Sequence, residues 1–392
     1  MGRFATIVGR AGYGLVVSPV FEDVGVFQRV GEATDVVRKE MYDFEDKGGR
    51  HLALRPEGTA PVVRAWVQHR PPLPFKAWYA APNFRYEHAQ AGRYRQHHQL
   101  GVEVLGTEDP DLDVEVVALA WSVIADLGLQ RVELVLNSLG DGVCRPGYLD
   151  ALRRFLEARR DQLCDEHRDR LAENPLRVLD CKREACRAAT ADAPHIVDHL
   201  CDPCRAHFTR VREGLDALGV PWRLEPRLVR GLDYYTRTAF ELVAASLESA
   251  QTGVGGGGRY DRLAEDLGGP PTPGIGFGIG IERLLLTCDA EGVFPAPSRT
   301  VEVFVVDTAG GAEALLLTAE LRAAGVACDR AFDDRSMKAQ FKAADRSGAA
   351  LALVIGEREV AEGTVTVRDL STGDQEVVGR ADLVDHVSKR LA

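Results

Sequence analysis

The sequence predicts an α+β chain that ends in a small α/β domain. Three observations predict it. The apolar run Ala77-Trp78-Tyr79-Ala80 and the run Gln99-Leu100-Gly101-Val102-Glu103-Val104-Leu105 flank a long polar loop, which reads as a strand hairpin. Gly274, Gly276, Gly278 and Gly280 alternate with Ile275, Phe277 and Ile279, and then Ile281-Glu282-Arg283-Leu284-Leu285-Leu286 reads as a helix. Beyond a proline-rich joint, buried-type strands alternate with helical segments.

The 392 residues are too many for one ordinary core, so two or three domains are expected. A composition of 45% hydrophobic and 27% charged residues is that of a globular protein. No apolar run is long enough for a membrane span, and the N-terminus does not read as a signal peptide. The net charge of −11 excludes a nucleic-acid binder held by bulk charge, while leaving room for a local basic groove. Eight cysteines without a secretory signal point to the reducing cytoplasm.

Along the chain, residues 1–140 mix strand and helix patterns with many arginines and aromatics. Residues 141–222 are mostly helical and charged and hold six of the eight cysteines. Residues 223–293 return to strand and glycine-rich patterns, and residues 294–300 form the joint. In residues 301–392, strands are expected at 301–306, 351–355 and 363–370, with a helix over 312–324.

Alternate side chains of a strand point to opposite faces, so the glycine run leaves one face bare. A bare face invites a flat ligand or a second backbone, and Arg283 in the first helical turn suits a phosphate. The bland alternative is tight strand–helix packing. The hairpin loop carries Arg85, His88, Gln90, Gly92, Arg93 and Arg95 instead of a tight-turn pair, as a functional loop does. Arg85 at the strand end is a natural phosphate ligand. In Arg55-Pro56-Glu57-Gly58-Thr59-Ala60, Glu57 and Thr59 stand at a strand-to-helix turn where they can meet an ammonium group. Thr59 is also a candidate helix cap. Arg230-Gly231-Leu232-Asp233-Tyr234-Tyr235 precedes a strand, and its tyrosines suit an aromatic or imidazole ligand. The run Gly255-Gly256-Gly257-Gly258 is neither a Walker loop nor a dinucleotide fingerprint.

These segments, in this order and spacing, resemble those of histidyl-tRNA synthetases over the full chain. The hairpin and the glycine strand with its helix resemble motifs 2 and 3 of class II synthetases, and Val17-Ser18-Pro19 resembles the end of motif 1, at a dimer interface. The resemblance implies an antiparallel sheet flanked by helices, a helical insertion and an anticodon-binding domain. It implies a cytoplasmic homodimer that joins L-histidine to ATP, with Mg2+, and passes the histidyl group to tRNA(His). By the same resemblance Arg85, Arg230 and Arg283 are catalytic. Arg93, Gly278 and Gly280 join those arginines around ATP. Glu57, Thr59, Gln99, Glu103, Tyr234, Tyr235 and Tyr260 hold histidine, and Gln90 meets the tRNA acceptor end.

Two departures accompany the resemblance. Family members begin with a further segment, whereas here about ten residues precede Ala11-Gly12-Tyr13-Gly14. The chain is therefore expected to be a shortened form with an incomplete dimer edge. His88 stands where arginine is common, so acceptor-end binding is expected to be weaker or pH-sensitive.

Cys181-x4-Cys186 and Cys201-x2-Cys204 have the paired spacing of one structural zinc site, with His195, His199 and His207 as alternative ligands. Arg335, Lys338, Lys342 and Arg346 recur at helical spacing and form a basic stripe suited to a tRNA backbone. The competing function is a synthetase-like histidine sensor or a regulatory subunit of histidine biosynthesis. Such paralogues usually lack the C-terminal domain and the Arg230–Tyr235 run, and this chain has both.

Overall fold

The computed structural model describes residues 1–31, 34, 36–87, 92–169, 171, 175–229, 234–247, 252–296, 301–333 and 335–391. It contains two compact units, Met1–Phe294 and Pro295–Ala392.

The first unit is organised on an eight-stranded sheet. Across it the strands follow the order Gly14–Leu15, Phe75–Phe84, Gln96–Leu105, Gly274–Gly280, Gly253–Arg259, Thr236–Ala244, Val132–Ser138 and Arg223–Leu224. The long strands pair antiparallel, and the two short edge strands pair parallel. The hairpin is present, with Tyr79 opposite Gly101 and Asn83 opposite His97. The glycine strand is central and leads directly into the helix Ile281–Glu291, as expected.

The run Gly253–Arg259 is itself a strand, against its poor intrinsic propensity. Close approach explains this. A Cβ on Gly257 would lie 2.0 Å from the carbonyl oxygen of Gly276 on the neighbouring strand, so only glycine permits that spacing.

The helix Pro110–Asp126 is capped by Asp109, whose carboxylate accepts the Asp111 N–H at 2.9 Å. It buries Val116, Val117, Ala120 and Ile124 completely. The helix Asp202–Ala217 packs against it at Gly214, where a Cβ would stand 2.5 Å from Val114 Cγ2. Arg259, fully buried, ties the glycine-rich strand to the same helix: its Nε donates to Asp113 at 3.0 Å, and its Nη1 donates to the Thr107 carbonyl and to Asp261.

The second unit has a five-stranded sheet in the order Cys328–Arg330, Val303–Asp307, Leu351–Ile355, Thr364–Asp369 and Gln375–Gly379. Its first three strands are parallel and its last two antiparallel. The expected helix is Ala312–Ala323. The two strands absent from the sequence reading are the edges. Cys328–Arg330 is only three residues, and Gln375–Gly379 is mostly exposed, so neither has a buried apolar run. Lys338, Lys342 and Arg346 lie exposed on the helix Met337–Ser347, which buries Gln340 and Ala344. Arg335 precedes that helix. No helix among the described residues is long and apolar enough to cross a membrane.

Candidate active site

A cleft of about 380 Å3 opens over the centre of the large sheet. One end is organised by the turn between the strand His51–Leu54 and the helix Thr59–His69. The cap of that helix is not the Thr59 hydroxyl. Both oxygens of Glu57 accept its first amides instead, from Thr59 and Ala60 at 2.7 Å each. Arg55 fixes the turn from outside, donating to the carbonyls of Pro82, Ser18 and Pro19. Thr59 is then free to donate its hydroxyl to Glu103 Oε1 at 2.7 Å.

Glu103 is the hub beneath this end. Tyr260 donates to its Oε2 at 2.5 Å and Tyr79 to its Oε1 at 3.3 Å. Burial pushes its carboxyl up to about 8. Burial also raises Glu57, against the helix amides that favour its charged form, and Tyr234 approaches its Oε2 at 3.5 Å. Tyr234 lies between two other rings, 4.8 Å from Tyr235 and 5.9 Å from Tyr260 between centroids. This end is therefore a pocket of carboxyl and phenol groups with more acceptor capacity than its own donors fill, suited to a small cation.

The bare glycine face faces this site, and neighbouring side chains cover part of it. A Cβ on Gly276 would lie 2.0 Å from Glu103 Oε2, and one on Gly278 would lie 1.8 Å from Gln99 Nε2. Asn83 donates to Gln99 Oε1 at 2.8 Å and so sets which way its amide points.

The other end holds the guanidinium groups of Arg85, Arg93 and Arg283, with the carboxylates of Glu87, Glu241 and Glu282 among them in the cleft lining. Arg85 Nε donates to the Pro56 carbonyl at 2.8 Å, which fixes its guanidinium beside the Glu57 turn. Glu87 pairs with Arg93 at 3.0 Å and reaches Arg85 at 3.9 Å. Arg283 donates from Nε to the Gly92 carbonyl at 3.1 Å and from Nη1 to the Gly253 carbonyl. It thereby joins the hairpin to the glycine strands. Burial, and then Arg93, lower its pKa, a penalty that a bound polyanion would relieve. His97 is held near 4 by burial and by Arg85, so it is neutral at physiological pH.

Glu57, Thr59, Arg85, Arg93, Gln99, Tyr234, Tyr235, Gly278, Gly280 and Arg283 all line this one cleft. Glu103 and Tyr260 do not. They lie behind Thr59 as its support, because their side chains are consumed in the buried network. Arg230, His88 and Gln90 fall outside the described residues. Arg335, Lys338 and Lys342 belong to the second unit. Sequence reading missed Tyr79, Glu87 and His97. Strand parity carried a signal for the first: Tyr79 stands opposite Gly101, where a Cβ would lie 2.3 Å from its ring.

The single four-cysteine zinc site is corrected. Cys181 and Cys186 group with Cys164 and His167, whereas Cys201 and Cys204 group with Asp141 and Cys144. The fold brings each pair back onto an earlier part of the chain, which linear spacing does not reveal. Nor are the alternative histidines ligands of these groups: His199 packs on Tyr148, and His207 lies 3.4 Å from Asp113.

An antiparallel sheet with an arginine hairpin, a glycine strand and an arginine-bearing helix around one cleft defines the catalytic unit of a class II aminoacyl-tRNA synthetase. Residues 1–284 match the family model for histidyl-tRNA synthetase, and residues 300–390 match that for an anticodon-binding domain. A histidine–tRNA ligase from Rhodococcus erythropolis is 54% identical over 96% of this chain and 89% of its own length. One from Mycobacterium marinum is 51% identical over 98% and 93%. The crystal structure of the apo histidyl-tRNA synthetase of S. aureus superposes with a TM-score of 0.81 at 37% identity, covering 98% of this chain and 94% of that one. The chain belongs to the histidyl-tRNA synthetase family and is a histidine–tRNA ligase.

Proposed function

We propose that the two ends of the cleft divide the substrates: histidine sits over Glu57, Thr59 and Gln99, and ATP sits among Arg85, Arg93 and Arg283. The observation that carries this division is the polarity of the cleft, acidic and phenolic at one end and guanidinium-rich at the other. The histidine ammonium meets the outward lone pairs of Glu57 and the Thr59 hydroxyl. Its imidazole meets Gln99 and the rings of Tyr234 and Tyr235. Hydrogen bonds to a polar ring separate histidine from apolar analogues far better than shape alone.

With both substrates bound, the histidine carboxylate attacks the α-phosphorus of ATP. A new P–O bond forms, the α–β bridging bond breaks, and pyrophosphate leaves. Negative charge builds on the phosphoryl oxygens, where preformed guanidinium groups stabilise it most. ATP enters as its magnesium complex. Arg85 is held by Pro56, and Arg283 by Gly92 and Gly253, so neither has to reorganise during the step. Arg230 belongs to the same set by resemblance. In the second step a ribose hydroxyl of the tRNA 3′ end attacks the activated carbonyl carbon and AMP leaves. Gln90 guides that end, while Arg335, Lys338 and Lys342 contact the tRNA backbone.

The enzyme works as a cytoplasmic homodimer. Eight free cysteines fit a reducing compartment. Val17, Val20 and Phe21 are exposed large apolar side chains along the Ser18-Pro19 segment that Arg55 secures. The test is transfer of labelled histidine to a tRNA(His) transcript. Charging of that transcript but not of a noncognate one supports the reading, and failure to charge it under conditions where adenylate forms contradicts it.

A further inference from the structure

The insertion between residues 141 and 222 holds two groups of soft ligand atoms that adenylate formation does not use. In the first, Cys164, His167, Cys181 and Cys186 place three thiols and an imidazole nitrogen within 4.8 Å of one another. In the second, Asp141, Cys144, Cys201 and Cys204 place three thiols and a carboxylate oxygen within the same distance. All eight cysteines of the chain are free thiols. Thiols that merely fill apolar space have no reason to converge twice in one insertion.

We propose that the insertion holds two separate zinc ions, one on Cys164, His167, Cys181 and Cys186, the other on Asp141, Cys144, Cys201 and Cys204.

The geometry fits zinc. A tetrahedral ion with Zn–S bonds of about 2.3 Å separates its donors by roughly 3.8 Å, so both groups need only a small contraction. Each set consists of two chelating pairs: Cys164-x2-His167 with Cys181-x4-Cys186, and Asp141-x2-Cys144 with Cys201-x2-Cys204. Four protein ligands close the coordination sphere, which is the pattern of a structural ion. Backbone amides already point at the sulfurs. The Cys164 N–H donates to Cys186 Sγ at 3.2 Å, and the Asp141 N–H donates to Cys144 Sγ at 3.4 Å. Such donors stabilise coordinated thiolates and orient them. Gly140, at φ +63°, brings the chain so close to Cys144 Sγ that a Cβ there would lie 2.7 Å from it.

Asp141 is oriented in the same way. Its Oδ1 accepts amides from Val143 at 2.9 Å and Cys144 at 3.3 Å, while its Oδ2 lies 3.8 Å from Arg237 Nη2. Three thiolates and a carboxylate around a divalent ion leave a net charge of −2, and Arg237 offsets part of it. With a neutral imidazole the first set leaves −1.

The two ions would do different structural work. The helices Asp165–Asp169, Leu176–Leu179 and Glu184–Ala189 are four to six residues long, too short to hold without outside support. The first ligand set starts just before the first of them, passes just beyond the second, and ends inside the third. It also anchors Cys181 between Asp180 and Lys182, which line the substrate cleft. The second set joins the loop after the strand Val132–Ser138 to Cys201, the residue that caps the helix Asp202–Ala217, and to Cys204 within that helix.

The test is zinc content by mass spectrometry of the full chain, purified without chelator. Two equivalents per chain are expected. His167→Ala should lower this to one, His167→Cys should keep two, and Cys201→Ser should lower it to one. If a variant fails to fold, stepwise titration of the unsubstituted protein with a mercurial, read by a zinc-sensitive dye, should release two equivalents. Fewer than two in the unsubstituted protein, or two that survive His167→Ala, overturns the proposal. This readout does not depend on aminoacylation, so its failure and a failure of the functional reading are distinguishable.

Discussion

Glu103 and Gly276 are direct partners on adjacent antiparallel strands, and the carboxylate of one fills the space that a side chain on the other would need. A Cβ at residue 276 would stand 2.0 Å from Glu103 Oε2. The bare face of the glycine strand is thus in part a mould for the polar network under the amino-acid end of the cleft. Gly276→Ala should push Glu103 off its hydrogen bonds to Tyr260 and Thr59. Overpacking of this kind costs roughly 1–3 kcal/mol. The KM for histidine should rise about tenfold or more while the KM for ATP changes little, which steady-state pyrophosphate exchange would show.

Glu103 also couples stability to pH. An unfolded glutamate titrates near about 4.3, whereas burial holds Glu103 near 8 in the folded chain. Folding therefore takes up a proton between those values. The stability from this group is fully present below the unfolded pKa and is lost as pH rises through the folded one. Glu103→Gln cannot ionise. Its stability relative to the parent, without ligands, should rise between about pH 5 and pH 9 by on the order of a few kcal/mol, read as a growing difference in melting temperature. A flat difference across that range would show that the carboxyl is already ionised at low pH.

Arg85 is fixed through Pro56 to the same turn that presents Glu57. Arg85→Ala should lower kcat for adenylate formation by about 10²- to 10³-fold, as loss of one preorganised donor does elsewhere. The histidine KM should stay within about threefold. Arg85→Lys should not restore the rate, since an ammonium cannot copy the planar fork. Single-turnover kinetics would check both.

Arg259 and Asp113 form a pair with no solvent exposure on either side chain. Removing one partner strands a buried charge, so Arg259→Met should cost roughly 3–5 kcal/mol, and adding Asp113→Leu should recover much of it. Denaturant titration of the two variants would measure this.

Much of the site was legible because its residues carry local signals. The hairpin, the alternating glycines and the Glu57-Gly58-Thr59 turn each read from a few adjacent positions. Gly253–Arg259 did not read as a strand, because the reason for its glycines lies on the neighbouring strand. The support of Glu103 by Tyr260 joins positions 157 residues apart, and Arg259 meets Asp113 across 146. The cysteine grouping failed for the same reason. Cys181 and Cys201 are near in sequence, but the fold sends one towards Cys164 and the other towards Asp141. Pairings that tertiary folding creates leave no spacing to read.

The most direct measurement is histidine-dependent ATP–pyrophosphate exchange by this 392-residue chain and by its Arg283→Ala variant. Exchange that requires histidine and falls at least about a hundredfold in the variant is the predicted result. Intact histidine binding with no exchange, or exchange indifferent to Arg283, would contradict the division of the cleft into an amino-acid end and a phosphate end.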